Sequence, residues 1–513
     1  MNSPASGQHG RARIAVESRS IDCIPDSERH ARLADQGPFW FLGNFHFFTL
    51  SIGFVGPSLG LSAPWSALAG MLGIMFGTLF MALHGAQGPQ LGLPQMIQSR
   101  AQFGFRGVTL PLCATLLVFT GFNVVNVSLI MQGMQAVFGL PPAPTACVAV
   151  AVGALLAVCG HDVMHKAFRC ALMLALPLYA LATLALLAGV GEPALHVRPE
   201  PLPGFAWSAF AAQFTIAASY NISYAPYVSD YSRYLPRHTA PRRLIAAIFL
   251  GASLSGAWMI GLGAWMAQRL QAGDALAALG RIGTGLFPGA DRLLPALAVA
   301  AFVPIIALNT YSAALTVLTA ADSLGGLRPT RSARGARGAR GAREALGTLG
   351  ARIGAIAAIS ATILACVLSI QGSGVALLHS FLALLLYFLV PWTAVNLVDY
   401  FLVRKGRYAI ADFFTPQGIY GAWGWRGICA YLGGFAAMVP FFHIHDATDG
   451  HAVFIGWAAQ RLGGVDFAWL PGILVAGSLY WVLARNLDLQ AEEAASCQPR
   501  QDSHPLHLKE RTP

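Results

Sequence analysis

Charged side chains are scarce in this 513-residue chain: Lys+Arg number 33 and Asp+Glu 23, together 11%, against roughly 25% in soluble domains. Too few charges to cover a soluble surface of this size, with 55% hydrophobic residues, exclude a disordered chain and an ordinary cytosolic enzyme. Cysteine pairs are lacking too. The eight cysteines are scattered, none forms a CxxC, and most lie in apolar runs, where a free Cys acts as a small hydrophobe. No disulfide framework and no metal site follow. Walker A, HExxH and dinucleotide fingerprints are absent, and no nucleophile–base constellation points to an enzyme.

What is present is a set of long charge-free runs. Residues 36–99, 107–161 and 353–398 contain no Asp, Glu, Lys or Arg, and shorter gaps cover 170–191, 201–229, 244–268, 293–321, 427–445 and 467–484. A membrane helix needs about 20 predominantly apolar residues. The three longest runs each have room for two helices around a break, at Ala63-Pro64-Trp65-Ser66, at Gly139 to Pro144, and at Gln371-Gly372-Ser373-Gly374. The expectation is an all-α polytopic membrane protein with about 12 transmembrane helices over 38–486, between polar tails at 1–37 and 487–513.

Basic residues resist translocation. With twelve spans, alternate loops and both tails hold 28 of the 33 Lys and Arg, and the other side holds 5. That split places both termini in the cytoplasm and the chain in the cytoplasmic (inner) membrane. The Arg/Gly/Ala repeat at 331–343 lies on the basic side. It reads as a loop near anionic lipid headgroups, so the net charge of +10 implies a lipid bilayer and no nucleic acid. The stretch 445–465 is too polar to span. Gly73-x-x-x-Gly77 in the second span fits a close helix contact, although one match among 55 glycines carries little weight.

Four spans contain residues that lipid would not favour. The first carries Gly43-Asn44-Phe45-His46 and then three Gly and one Pro between Gly53 and Gly60, which either break the helix or end it near Gly53. The sixth carries Ser219-Tyr220-Asn221-Ile222-Ser223-Tyr224-Ala225-Pro226 and then Asp230 and Arg233; Pro226 removes a backbone donor. The third carries Phe122 and Asn126, four apart on one helix face. The eighth carries Asn309-Thr310-Tyr311-Ser312. Interrupted spans five helices apart are the mark of two inverted five-helix repeats with a midplane site between the breaks. Repeats are expected at about 38–191 and 205–402, with peripheral helices at about 427–445 and 467–484. Amides and aromatic rings, with no charge in the centre of any span, suit a flat, neutral, hydrogen-bonding heterocycle.

At these residues the sequence resembles the purine–cytosine permease family, the nucleobase:cation symporter-1 family, over roughly Phe39 to Arg407. The resemblance rests on three pieces in order: Gly92-Leu93-Pro94-Gln95-Met96-Ile97-Gln98-Ser99-Arg100-Ala101-Gln102-Phe103-Gly104, then Ser229-Asp230-Tyr231-Ser232-Arg233-Tyr234-Leu235-Pro236, then Asp399-Tyr400-Phe401 with Arg404, Arg407 and Tyr408. It implies a LeuT-type fold of ten helices plus two peripheral ones. It also implies secondary active import of a nucleobase-like small molecule coupled to H⁺ or Na⁺, without a cofactor. By residue it implies stacking at Phe122, where many relatives have Trp, and polar contacts at Asn126 and Asn309. In the sixth helix relatives place an aromatic at Asn221 or at Tyr224, and this chain follows the second pattern. Sodium-coupled relatives carry adjacent hydroxyls in the eighth helix, where this chain reads Phe302-Val303-Pro304-Ile305-Ile306. Sodium needs oxygen ligands, so a proton is the favoured coupling ion, with His46 a candidate carrier. Asp230 and Arg233 read as a gate or helix-end pair. Hydantoin, allantoin or a vitamin-related pyrimidine is the alternative cargo, and a substrate-sensing receptor the alternative class.

Overall fold

The computed structural model describes residues 23–191, 204–325, 339–370, 374–445, 451–490 and 492. The tails before 23 and after 492 lie outside these residues, as does the 331–343 repeat up to 338. The side chains of 339–348 are likewise not described.

Among the described residues, a helical segment lies at each of the twelve expected positions. Eight are long and apolar enough to cross a membrane: Ala63–Leu91, Thr109–Phe138, Pro142–Cys159, Lys166–Leu187, Pro241–Leu270, Ala290–Ser323, Leu349–Ser369 and Leu377–Val403. A ninth crossing is the first span, a pair of helices bent by 53°. The sixth, eleventh and twelfth are shorter, at Trp207–Ile222, Trp425–Met438 and Trp469–Ala484. In hydrocarbon every backbone N–H must be met inside the segment, and runs of Ala, Leu and Val do so without competing side-chain bonds. Local residues set the limits. Pro142 and Pro241 open their helices, where a missing N–H costs nothing. Gly139, at φ 67°, closes the third span by donating to Gln135 O.

Apolar side chains line both the interior and the outer wall. Leu155 and Leu184 are 68% and 65% exposed, as expected of a lipid-facing surface. Inside, the second span packs on the sixth and seventh. The Gly73/Gly77 pair is the reason. A Cβ at Gly73 would collide with Phe214 O, and one at Gly77 with Ala218 O, so the motif is the close contact between the second and sixth spans.

The first span breaks earlier than its glycines suggest. Helix Gln36–Gly43 ends, Asn44 donates to Ala252 O at 2.9 Å, His46 is extended (φ −154°, ψ 170°), and helix Phe47–Ile52 begins. Gly53 instead lets the span press on the seventh, where a Cβ would meet Ile260 O. The sixth span stops at Ile222, turns through Ser223–Tyr227, and resumes as Val228–Ser232.

Both described chain ends sit at one end of the bundle. Ile24 donates to Gly92 O at 2.9 Å, Ala31 to Tyr234 O at 3.1 Å, and Glu492 receives Arg404. The same end carries Arg100, buried, which pairs with Asp322 at 3.0 Å and lies 4.2 Å over the Phe105 ring. The opposite end carries the only strands among the described residues, an antiparallel hairpin of His443–His445 and Ala452–Ile455. This hairpin and helix Trp457–Arg461 occupy much of the polar 445–465 stretch. The hairpin is tied to the tenth span through Asp466, which accepts from Tyr387 Oη–H and from the His443 N–H. Burial pushes the Asp466 carboxyl above its usual range despite those donors and the Ala468 N–H.

Candidate functional site

The two broken spans face each other. Tyr224 Oη donates to Gly43 O at 2.9 Å, and Tyr220 Oη lies 3.2 Å from His46 Nε2. A carbonyl freed where one helix stops is thus satisfied by a side chain from the other break. Tyr220 Oη is also 2.9 Å from Tyr224 Oη and accepts from Thr49 Oγ1 at 3.1 Å. Five atoms from both breaks therefore form one buried hydrogen-bonded cluster.

A cavity of about 20 Å³ lies against this cluster, lined by Trp40, His46, Phe122, Asn126, Tyr224 and Asn309 among others. Its lining includes no Asp, Glu, Lys or Arg. Five of the expected site residues thus come together: His46, Phe122, Asn126, Tyr224 and Asn309. Phe122 packs edge-on against Phe48, Tyr220 and Phe381. Asn221 does not join them. It is fully buried, and its amide donates to Thr78 Oγ1 of the second span. Helical phase explains the difference: the helix ends at Ile222, so Asn221 points with the packed face while Tyr224, in the turn, reaches the cavity.

Asp230 and Arg233 line a second cavity of about 50 Å³ with Thr115, Ser312 and Thr316. Asp230 accepts from the Gln95 N–H at 2.9 Å, and the Arg233 guanidinium lies over Tyr234. Tyr227 and Tyr231 line both cavities, so their rings form part of the wall between them.

Sequence reasoning missed three residues. Asn123 donates to Ile306 O (3.0 Å) and Thr310 Oγ1 (2.9 Å), and its Oδ1 accepts from Asn126 (3.2 Å) and Asn309 (3.1 Å). One amide therefore sets both lining amides. Its signal, an Asn three residues before Asn126, was visible but ambiguous. Trp40, near the start of the first span, lines the cavity. Phe302 of the eighth span sets its ring 5.0 Å from His46 and 4.4 Å from Phe47.

A family described as permeases for cytosine/purines, uracil, thiamine and allantoin matches residues 23–324 and 343–476. A putative purine-cytosine permease of Bacillus subtilis is 32% identical over 481 residues, covering 92% of this chain and 96% of its own. Purine-cytosine permease FCY22 of Saccharomyces cerevisiae is 24% identical, over 49% of this chain and 48% of its own. Among solved structures, Mhp1, a nucleobase-cation-symport-1 family transporter in a closed conformation with bromovinylhydantoin bound, superposes with a TM-score of 0.69. That match has 17% identity and covers 94% of this chain and 99% of Mhp1. The inward-facing conformation of Mhp1 gives 0.67 over 94% and 98%. These likenesses give the LeuT-type architecture, and the relatives are permeases rather than enzymes. On the extent of these matches the chain belongs to the permease family for cytosine and purines, uracil, thiamine and allantoin, the nucleobase:cation symporter-1 family that its motifs resemble.

Proposed function

We propose that this protein imports a neutral, nucleobase-like heterocycle, of cytosine or purine type, by symport with a proton. The observation that carries the reading is the charge-free cavity where the two helix breaks meet, walled by aromatic rings and lined by Asn126 and Asn309. Rings offer stacking faces, amides offer paired donors and acceptors, and a permanently charged cargo would lack a counter-ion. The Bacillus relative named as a purine-cytosine permease, and the flat bromovinylhydantoin held by Mhp1, support the same class of cargo. Ligand contacts are assigned to Phe122, Asn126, Tyr224 and Asn309. Asn221 is assigned to support from behind.

What surrounds the first break supports proton coupling. A sodium site needs several oxygen ligands. The eighth span offers Phe302, Val303, Pro304, Ile305 and Ile306, and Phe302 fills the space beside His46. His46 is the one imidazole in the cavity lining, the side-chain type whose free form titrates near neutral pH. Asp230 and Arg233, one partition away, are assigned to the inner gate.

Purified protein in proteoliposomes should accumulate labelled cytosine or hypoxanthine when an inward proton gradient is imposed. Uptake driven by a sodium gradient and indifferent to pH would overturn the proton assignment. The proposed orientation has the basic end and both termini in the cytoplasm of the inner membrane. A Ser332→Cys variant lacking the native cysteines should then resist impermeant thiol reagents in intact cells, and labelling from outside would reverse the orientation.

A further inference from the structure

Three polar side chains in the lining of the central cavity carry a buried atom with no hydrogen-bond partner among the described residues: Trp40 Nε1, His46 Nδ1 and Asn126 Oδ1. Their chemistry is fixed by neighbouring backbone. A carbonyl oxygen can only accept. Ile306 O therefore fixes Asn123 with its NH₂ toward the eighth span and its Oδ1 toward Asn126. Asn126 must then present its NH₂ to Asn123, which leaves Oδ1 as a bare acceptor. By the same argument Gly43 O, 2.9 Å from His46 Nε2, requires a hydrogen on Nε2. Neutral His46 then has a lone pair at Nδ1, and only the imidazolium has an N–H there. Trp40 Nε1 can only donate.

We infer that the ligand presents a lactam edge, a ring N–H next to a C=O, and that His46 takes up a proton at Nδ1 to receive it. The ligand N–H donates to Asn126 Oδ1. The ligand carbonyl accepts from Trp40 Nε1–H and from protonated His46 Nδ1–H. With neutral His46 the carbonyl would face a lone pair, so this ligand and one proton bind together and leave together. Cytosine, uracil, hypoxanthine and hydantoin-type rings carry such an edge, and adenine does not. Nothing else near His46 competes for the proton. The sixth span presents the hydroxyls of Tyr220 and Tyr224, with Tyr227 and Tyr231 further along the lining. The third presents Phe122 and Asn126, the fifth Phe168, and the eighth Phe302, Ile305 and Asn309. None of these side chains other than His46 is of a type whose free form changes charge near neutral pH.

This inference rests on the transport reading above and narrows it, and the test separates the two. The purified full-length protein is titrated calorimetrically with hypoxanthine and adenine from about pH 5.5 to about pH 8. Hypoxanthine should bind with uptake of one proton, seen as a buffer-dependent heat. Its affinity should weaken toward about tenfold per pH unit as pH rises. Adenine should bind at least about tenfold more weakly at the acid end and show no such slope. His46→Gln should remove the slope. Trp40→Phe, which keeps the ring and loses only the N–H, should weaken hypoxanthine about tenfold with the slope retained. Hypoxanthine binding that is flat in pH, a slope that survives His46→Gln, or equal behaviour of adenine would overturn the inference while leaving the transport reading intact. Failure of every nucleobase to bind at any pH would overturn both. Should His46→Gln not fold, the proton uptake of the unsubstituted protein and the Trp40→Phe result still decide.

Discussion

Asn123→Ala is expected to weaken ligand binding about a hundredfold in a protein that still folds. Asn123 lies behind the cavity rather than in its lining, yet Asn126 and Asn309 both donate to its Oδ1. Truncation leaves two buried amide groups without an acceptor and frees them to turn. A buried polar group left unsatisfied costs about 1–3 kcal/mol, and about 1.4 kcal/mol is tenfold in affinity, so two disordered contacts reach about two decades. Asn309→Ala removes one contact and should cost less. The check is a titration with cytosine or hypoxanthine, read beside a thermal melt. A lowered Tm with unchanged affinity would make Asn123 a packing residue and nothing more.

Arg404→Met should have the largest effect on folding. The guanidinium is buried at the basic end of the tenth span. It holds Glu492 through Nε and Nη2, each at 2.8 Å, and Asp399 and Tyr480 through Nη1. Asp399 in turn receives Gln102, Tyr408 and Tyr480. Burial opposes the charge on Arg404, but Asp399, Tyr480 and Glu492 outweigh it and hold its pKa well above the ordinary value. Removing the one cation strands two buried carboxylates, a change that costs about 3–5 kcal/mol. Size-exclusion profiles and melting curves should show most of the protein lost. Adding Asp399→Asn and Glu492→Gln to Arg404→Met should restore much of it, because neutral polar groups replace unpaired charges. A triple variant as unstable as the single one would show that the charges are not what the cluster balances.

These two residues also mark how far the sequence could be read. The spans were legible because hydrocarbon excludes charge, so gaps in Asp, Glu, Lys and Arg trace the membrane directly. Phe122 and Asn126 were legible because helical spacing holds inside a regular helix. Asn221 was not, because the helix ends one residue later and the arithmetic of faces stops there. The first break was misplaced toward Gly53 because a glycine that permits a turn and one that permits close packing look alike in a sequence. Asn123 meets Asn309 across 186 residues and Arg404 meets Glu492 across 88. No local pattern announces such pairings.

The closed state of the central cavity has a consequence for every affinity measured on this protein. About 20 Å³ is room for a water molecule and far too little for a nucleobase. A ligand must therefore draw on a minority conformation in which the walls have parted, and its apparent affinity is the intrinsic one reduced by that population. Substitutions at Tyr227 or Tyr231 that favour the parted form would tighten binding with no new contact to the ligand. Affinity in this protein is thus set in two places, by the atoms that touch the ring and by the free energy of making room for it.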